Sequence, residues 1–169
     1  DPERRWTLAV YLGGDNDLEL GAMLDLEELR SAMPEKGVEV IVLLDRAKGY
    51  LEEKDGWTDA HVFRVQHGSE GVPILKALGE IDTGDQRTLA GFLLGAFRTF
   101  PAQRNAAVIW NHGGGWTGIV QDEDVPGQPG KLDMLNHLDV RIALRTALWH
   151  AGRMQLDLLA FDACLISSA

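Results

Sequence analysis

A histidine and a cysteine each follow a short apolar run, at positions 112 and 164, a separation of 52 residues. His112 ends the string AAVIWNH, and Cys164 ends the string LDLLAFDAC. Apolar runs of this length are typical of buried strands in a parallel sheet, whose carboxyl ends share one edge. We therefore expect the two side chains to lie side by side. An imidazole beside a thiol can take its proton or stabilise the thiolate, which gives a nucleophile at neutral pH.

Three glycines follow the histidine directly, at positions 113 to 115. Without side chains, their backbone N–H groups can approach a substrate carbonyl, as acyl transfer requires. A plain turn is the simpler interpretation, and the oxyanion loop of a serine esterase is another. The esterase requires a later G-x-S-x-G motif, and the sequence has none, since GSEG at 68–71 fails the spacing. Taken alone, Cys164 is more typical of a buried, inert thiol.

The composition is that of a single soluble domain with an acidic surface. The chain has 169 residues, with 16 Lys and Arg against 26 Asp and Glu, for a net charge of −10. This charge argues against a nucleic-acid partner and favours a cationic substrate, such as a peptide carrying Lys or Arg. One cysteine excludes an internal disulfide and a thiolate zinc cluster. No apolar run approaches the length of a membrane span.

The hydrophobic pattern alternates short apolar runs with helical periodicity, which predicts an α/β fold with a parallel sheet covered on both faces. The same edge of that sheet should carry Gly13-Gly14-Asp15 and Asp45, beside His112 and Cys164. Asp17 is expected to cap the first helix, and Thr83 or Asp85 the second. The predicted strands are 6–12, 38–44, 106–110 and 156–161, and the predicted helices are 18–33, 85–100 and 137–152. A hairpin is expected within 46–72, with 61–65 as one of its strands. Residues 117–136 are predicted to form a long loop.

Three strings together resemble the clostripain family of caspase-like bacterial cysteine peptidases: WTLAVYLGGDNDLE, AAVIWNHGGGW and LDLLAFDAC. The histidine-to-cysteine spacing is close to that of caspases, about 50 residues, but this chain has Asp-Ala-Cys-Leu where caspases have Gln-Ala-Cys. The resemblance implies a caspase-like three-layer α/β sandwich with a mainly parallel central sheet flanked by helices. Residues 1–169 would be the N-terminal part of a single peptidase domain, through its first four strands and the cysteine. Since only five residues follow Cys164, we expect the domain to be incomplete at its C-terminus.

The resemblance also implies a role for individual residues. Cys164 would be the nucleophile and His112 its general acid and base, while the backbone N–H groups of Gly113 and Cys164 would form the oxyanion site. Members of the family cleave after Arg or Lys, and Asp162 matches an acid that contributes to the pocket for that side chain. A second pocket acid of the family lies beyond the cysteine. Trp116 follows the glycines and is expected to wall the substrate cleft.

Relatives also mature by cutting themselves in the loop after the histidine, which corresponds to 117–136. Lys131 is the only Lys or Arg between His112 and Arg141 and is therefore the candidate cleavage site. The chemistry requires no cofactor. Some relatives need calcium, for which Asp122-Glu123-Asp124 is a candidate cluster, although a solvated loop is the simpler interpretation.

The implied function is therefore an endopeptidase that acts after Arg or Lys and processes itself. Its partners would be the peptide substrate and the remaining C-terminal segment of its own domain. The resemblance favours a secreted or extracytoplasmic bacterial location, although the residues themselves reveal no compartment. The alternative is a catalytically inactive caspase-like module that binds or regulates.

Overall fold

The computed structural model describes residues 4–51 and 57–165, which fold into a six-stranded sheet, a two-stranded sheet and three α-helices. The strands are β1 (Trp6–Gly14), β2 (Val38–Arg46), β3 (Ala60–Val65), β4 (Ile74–Gly79), β5 (Arg104–Trp110), β6 (Ile119–Asp122), β7 (Asp133–Leu135) and β8 (Leu158–Asp162). The helices are α1 (Glu19–Ala32), α2 (Gln86–Thr99) and α3 (His137–His150), with a short 3₁₀ turn at Gly115–Thr117.

The large sheet has the order β4-β3-β2-β1-β5-β8. The four neighbouring strands β2, β1, β5 and β8 run parallel to one another, whereas β3 runs antiparallel to both β2 and β4. The four parallel strands are the four predicted from apolar runs, so that prediction is confirmed. Their carboxyl ends consequently lie at one edge of the sheet, as expected from right-handed crossovers.

Helices cover the sheet on both faces and make three layers. On one face α1 buries Ala22 and Leu26 against alternate residues of β1 and β2. On the other face α2 and α3 pack against the intervening residues, including Tyr11 and Ile109. Because β1 and β2 are covered on both faces, nearly all of their residues are buried. The predicted three-layer α/β sandwich is confirmed.

Two predictions about connecting segments are wrong. The hairpin comprises β3 and β4 and extends to Gly79, beyond the predicted limit of residue 72. The stretch 117–136 is not a loop throughout, because β6 and β7 pair antiparallel within it. Ile119 and Leu135 are fully buried in the core under α2 and α3. Each of these strands has too few residues to give a periodic pattern, and tertiary burial holds them instead.

The cap of α1 is also different from the prediction. The residue at the N-cap position is Leu18, and no side chain caps this helix end. Asn16 Oδ1 accepts a hydrogen bond from the Leu18 N–H instead, at 2.9 Å. For α2 the prediction holds, since Asp85 Oδ1 accepts from the Arg87 N–H at 2.7 Å. Asp17 is thus available for another contact.

At the β8 edge the sheet is thinly covered. Leu158 and Leu159 of β8 are exposed, as is Trp149 near the end of α3. This edge carries the strand that leads to Cys164. Among the described helices, none is both long and apolar enough to cross a membrane.

Candidate active site

The register of β5 and β8 places His112 and Cys164 at the same height above the sheet. Trp110 is the Cα partner of Asp162, and each candidate residue lies two positions beyond the end of its strand. The Asn111 N–H continues the ladder by donating to the Asp162 carbonyl at 3.3 Å. Since neighbouring strands lie about 4.8 Å apart, the predicted meeting of the two motifs at one sheet edge is confirmed.

Gly113 packs directly against the backbone of the cysteine motif. A Cβ at this position would overlap the carbonyl oxygen of Cys164 and lie 3.1 Å from the Ala163 Cβ. No side chain can therefore replace the hydrogen of Gly113 without moving one of the two chain segments. Position 113 requires glycine because the backbone of the cysteine motif approaches it closely. A plain turn would not impose this requirement.

The other two glycines have structural contacts of their own. The Gly114 N–H donates to the Gly118 carbonyl at 2.9 Å, and the Gly114 carbonyl accepts from Thr117 Oγ1, also at 2.9 Å. Gly115 has a φ of 63°, in the region that favours glycine, and its carbonyl contacts His137 Nε2 at 2.8 Å. These residues shape the 3₁₀ turn, so they do more than leave space for a substrate.

A β-bridge between Gly113 and Ile119 positions the backbone after the histidine. The hydrogen bonds on either side of this bridge use the His112 carbonyl and the Gly114 N–H. The Gly113 N–H is in neither of them. The pairing with β6 therefore leaves the Gly113 N–H unused.

His112 contacts a residue that the sequence did not single out for chemistry. Its Nε2 lies 2.6 Å from Asp17 Oδ1, while the His112 side chain is 34% exposed and that of Asp17 is 61% exposed. The contact joins the end of β5 to the β1–α1 loop. Asp17 was predicted as a helix cap because carboxylates are common before helices; only the fold reveals that it faces an imidazole.

Two buried asparagines, Asn16 and Asn111, form hydrogen bonds next to the contact between His112 and Asp17. Asn16 Nδ2 donates to the Gln121 carbonyl at 2.7 Å and to Asn111 Oδ1 at 3.3 Å. Asn111 Nδ2 also donates to the Gln121 carbonyl, at 3.0 Å, and its Oδ1 accepts from the His112 N–H. The network ties the β1–α1 loop, the end of β5 and β6 together. Asn111 was visible beside His112 in the sequence, but nothing local indicated its partners.

Cys164 is exposed and forms no disulfide. The simpler interpretation of Cys164 as a buried thiol is therefore wrong. Trp116 is 87% exposed on the 3₁₀ turn, where its indole is accessible from solvent. Both residues are reachable from the same edge of the sheet as His112.

Asp162 ends β8 and is exposed on the face of the sheet that α1 covers. With Asp25 and Glu28 of α1 and Trp110 of β5 it lines an open cleft of about 330 Å³. Burial, and then the charges of Glu28 and Asp162, raise the pKa of Asp25, while a hydrogen bond from the Trp110 side chain lowers it. Asp162 thus belongs to a group of acids, two of which come from a helix 134 or more residues earlier in the chain.

Lys131 lies in the turn between β6 and β7, where residues 126–132 are all exposed. Its Nζ is 3.7 Å from Asp133 Oδ2, and its N–H donates to the Gln128 carbonyl at 3.0 Å. Gly127 and Gly130 adopt positive φ in this turn. The candidate cleavage site is therefore on an exposed, glycine-containing turn.

The acids of the predicted calcium cluster do not converge. Asp122 is fully buried, which rules out a solvated position for it, and its Oδ2 accepts from the Thr83 N–H at 2.7 Å and from Thr83 Oγ1 at 2.8 Å. Glu123 accepts from the Tyr50 hydroxyl at 2.6 Å, and Asp124 pairs with Lys48 at 2.7 Å. Because each acid is engaged by a different partner, this set does not fit a shared cation.

A different group of acids converges at the same edge of the sheet. One carboxylate oxygen each from Asp15, Asp45 and Glu80 lie within 4.8 Å of one another. Burial, followed by the charges of Asp122 and Glu80, raises the pKa of Asp15 to about 7. The same causes in the same order raise the pKa of Asp45 well above its ordinary value. Burial also raises the pKa of Glu80, against the opposing effect of Lys48.

Comparison with known sequences identifies relatives of this chain. The sequence model described as the clostripain family, Peptidase C11, matches residues 10–169. Clostripain of Hathewaya histolytica is 24% identical over 186 residues, which covers 96% of this chain and 34% of clostripain. The chain therefore spans about a third of the length of this relative.

Solved structures with the same fold are also cysteine proteases. A secreted C11 protease from Bacteroides thetaiotaomicron, in complex with an irreversible peptide inhibitor, matches with a TM-score of 0.71 and 24% identity, over 95% of this chain and 43% of that one. An inactive zymogen C11 protease from Parabacteroides distasonis matches with a TM-score of 0.60 and 17% identity, over 97% and 43% respectively. These likenesses show the caspase-like fold.

Proposed function

The chain belongs to the clostripain family, and from this premise we propose that the protein is a cysteine endopeptidase that hydrolyses peptide bonds after Arg or Lys. The observation that carries the proposal is the packing of Gly113 against the Cys164 backbone, which sets the two motifs edge to edge. The thiol is exposed, and the imidazole is about one-third exposed. The reaction needs no cofactor.

In the proposed reaction, the Cys164 thiolate attacks the carbonyl carbon of the substrate. Backbone N–H groups of Gly113 and Cys164 stabilise the oxyanion that forms. The C–N bond breaks, and the His112 imidazolium gives its proton to the leaving amine. Water then attacks the thioester, His112 takes the proton from that water, and the C–S bond breaks to regenerate the thiolate.

Asp17 acts in this scheme as a positioning residue for His112. An ionised carboxylate only accepts hydrogen bonds, so the 2.6 Å contact places the proton of a neutral imidazole on Nε2. Nδ1 is then the nitrogen able to exchange a proton with the thiol or the leaving amine. Carboxylates that hold a catalytic imidazole in this way fix both its tautomer and its orientation.

The preference for a basic side chain would come from the acids of the cleft beside β8. Asp162 is two residues before the nucleophile, close enough to meet the side chain of the residue whose carbonyl is attacked. Asp25 and Glu28 line the same cleft and add to its negative potential. The formal net charge of −10 would also attract a basic substrate at long range.

Replacing Asp162 with asparagine is expected to reduce cleavage after Arg and Lys while sparing cleavage after a neutral residue. Loss of one charge–charge contact in the pocket should lower kcat/KM for the basic substrates by roughly 10-fold or more. Three fluorogenic peptides that end in Arg, Lys or Ala measure the change. A fall that is equal for all three peptides would show that Asp162 does not read the basic side chain.

The matched control is Glu70→Gln, which removes the same charge from an exposed residue in the β3–β4 turn, at the opposite end of the sheet. This variant should retain the wild-type preference. If the wild-type protein cleaves none of the peptides, the result would favour the alternative of an inactive caspase-like binding module.

Self-processing is proposed to occur after Lys131, in the turn between β6 and β7. Wild-type protein should give two fragments on a denaturing gel, and Lys131→Ala should remain a single chain at that junction. Mass spectrometry of the fragments identifies the cut bond. The conservative variant Lys131→Arg should still be cut, whereas a cut at the same place in Lys131→Ala would refute the assignment.

The remaining segment of the peptidase domain is proposed to cover the exposed edge at β8. Leu158 and Leu159 are exposed at this edge. Proteins usually cover such an apolar strand edge or pair it with another strand. A secreted or extracytoplasmic location is proposed on the basis of the secreted relative from Bacteroides thetaiotaomicron.

A further inference from the structure

The face of the sheet that α2 and α3 cover is open at its β4 edge. Along β3, Phe63 and Val65 are buried on the α1 face, whereas Val62 and Arg64 on the opposite face are only half-buried. Leu75 of β4 is 46% exposed. An elongated depression, the α2–β4 groove, consequently lies between α2 and the hairpin of β3 and β4, with a volume of about 650 Å³.

The lining of the α2–β4 groove is mostly apolar. Three apolar side chains line its strand side: Val62, Leu75 and Leu78. On the helix side Gly91 and Gly95 lie about one turn apart, and an added Cβ at either position would meet no atom within 4 Å. The lining part of α2, residues 88–99, is about 17 Å long. The groove is therefore long and narrow, as an extended aliphatic chain requires.

Two features of β4 disfavour another strand as the occupant of this edge. The pairing of β4 with β3 is irregular at two places, between Ala60 and His61 and between Val62 and Phe63. Lys76 stands near the middle of β4 and is exposed. Bulges and lysines on an edge strand both hinder the addition of a further strand. An occupant is therefore expected inside the groove and not along the strand edge.

Lys76 gives the α2–β4 groove a positive charge. It is the Cα partner of Val62, so its side chain lies on the same face of the sheet as the groove. Arg87, the other charged residue of the lining, is held by both oxygens of Asp85. Within the described part of the chain, Lys76 has no carboxylate partner. In a protein of net charge −10, this cation is suited to an anionic group on a ligand.

Two further basic side chains lie at the end of the groove that Phe100 closes. The guanidinium carbons of Arg4 and Arg64 are 5.7 and 5.3 Å from the centroid of the Phe100 ring. Both arginines form their ion pair with the same carboxylate, Glu39. Two positive charges thus share one negative charge beside the groove, which favours an anion at this end.

We propose that the α2–β4 groove binds a single-chain aliphatic carboxylate, with the chain between α2 and β4 and the carboxylate at Lys76. Small-molecule sites usually enclose roughly 300–1,000 Å³ and combine an apolar lining with a few polar groups that orient the ligand. The groove has this size and this lining. Burial of the chain supplies affinity, and a charge-assisted hydrogen bond from the Lys76 ammonium group fixes the orientation.

The test is dodecanoate binding to the whole purified protein without any peptide substrate, so that its outcome is independent of the peptidase proposal. Calorimetry below the critical micelle concentration should show one saturable site per chain. Dodecyltrimethylammonium has the same chain and the opposite charge, and it should bind at least roughly 10-fold more weakly. Equal affinity for the two amphiphiles would overturn the assignment of the carboxylate to Lys76.

Two substitutions locate the ligand. Gly95→Leu should abolish binding, because the new side chain enters the groove, and it should not lower Tm, since the position is open and leucine favours a helix. Lys76→Gln should weaken dodecanoate binding roughly 10-fold without weakening the binding of dodecyltrimethylammonium. Lys36→Gln is the matched control: it removes the same charge from an exposed residue before β2 and should bind like wild type.

Three results would overturn the proposal: no saturable binding by wild type, full affinity retained in Gly95→Leu, or binding to anionic vesicles without binding of monomeric dodecanoate. A wild-type dimer that Gly95→Leu converts to a monomer in ultracentrifugation would also overturn it, because a second copy would then be the occupant. If Gly95→Leu does not fold, Lys76→Gln decides the matter, since its position is exposed.

Discussion

Cys164→Ala protein is expected to lose peptide hydrolysis by a factor of roughly 10³ or more, because no other group in the site can form the acyl-enzyme. His112→Ala should cause a loss of similar size, since the thiol then has no base and the leaving amine no acid. Initial rates with an Arg- or Lys-ended fluorogenic peptide measure both effects. Because Cys164 and His112 act as one unit, the double variant should hydrolyse the peptide no more slowly than either single variant.

Two controls make this prediction specific. His150→Ala removes the same side chain at the far end of α3 and should leave the rate unchanged. Because Cys164 is the only cysteine in the chain and is exposed, a thiol alkylator should label the protein once and stop hydrolysis. Cleavage that survives both alkylation and Cys164→Ala would disprove the cysteine peptidase mechanism.

Gly113→Ala is expected to impair both stability and hydrolysis, although it adds only one methyl group. The new Cβ would overlap the Cys164 carbonyl oxygen, so the two chain segments must separate. Overpacking of this kind costs about 1–3 kcal/mol of unfolding free energy. Displacing the cysteine relative to the histidine by about 1 Å should also lower kcat roughly 100-fold. Denaturant unfolding and single-turnover kinetics measure the two losses separately.

Gly91→Ala is the matched control for this substitution. Gly91 lies inside α2, and a Cβ there would meet no atom within 4 Å. Alanine at such a position should raise the unfolding free energy by about 0.5–1 kcal/mol and leave the rate unchanged. If Gly113→Ala behaves like Gly91→Ala, close contact between the two backbones is not a requirement of the site.

The four parallel strands and the helices between them were predictable because their signals are local. A buried parallel strand is a run of consecutive apolar residues, and AAVIW and LDLLAF are of this kind. The connecting segments were less predictable. Strands β6 and β7 have four and three residues, too few to show a period, and β4 is largely exposed. Their pairing depends on partners that a local pattern does not contain.

The chemical groups were likewise evident from the sequence, while their contacts were not. His112 and Cys164 could be placed at one sheet edge because parallel strands end together. Asp17 looked like a helix cap, since carboxylates before a helix usually are. In the fold, Asn16 supplies the hydrogen bond at that helix start, and Asp17 lies against His112.

By itself the sequence determined the fold class, the two candidate residues for catalysis and the run of glycines after His112. The tertiary structure alone decided which groups meet: Gly113 with the Cys164 carbonyl, Asp17 with His112, and Asp15 with Asp45 and Glu80. The physical reason is the range of each interaction. Secondary structure depends on residues a few positions apart, whereas these contacts join residues between 30 and 95 positions apart, whose proximity is set by strand order and register.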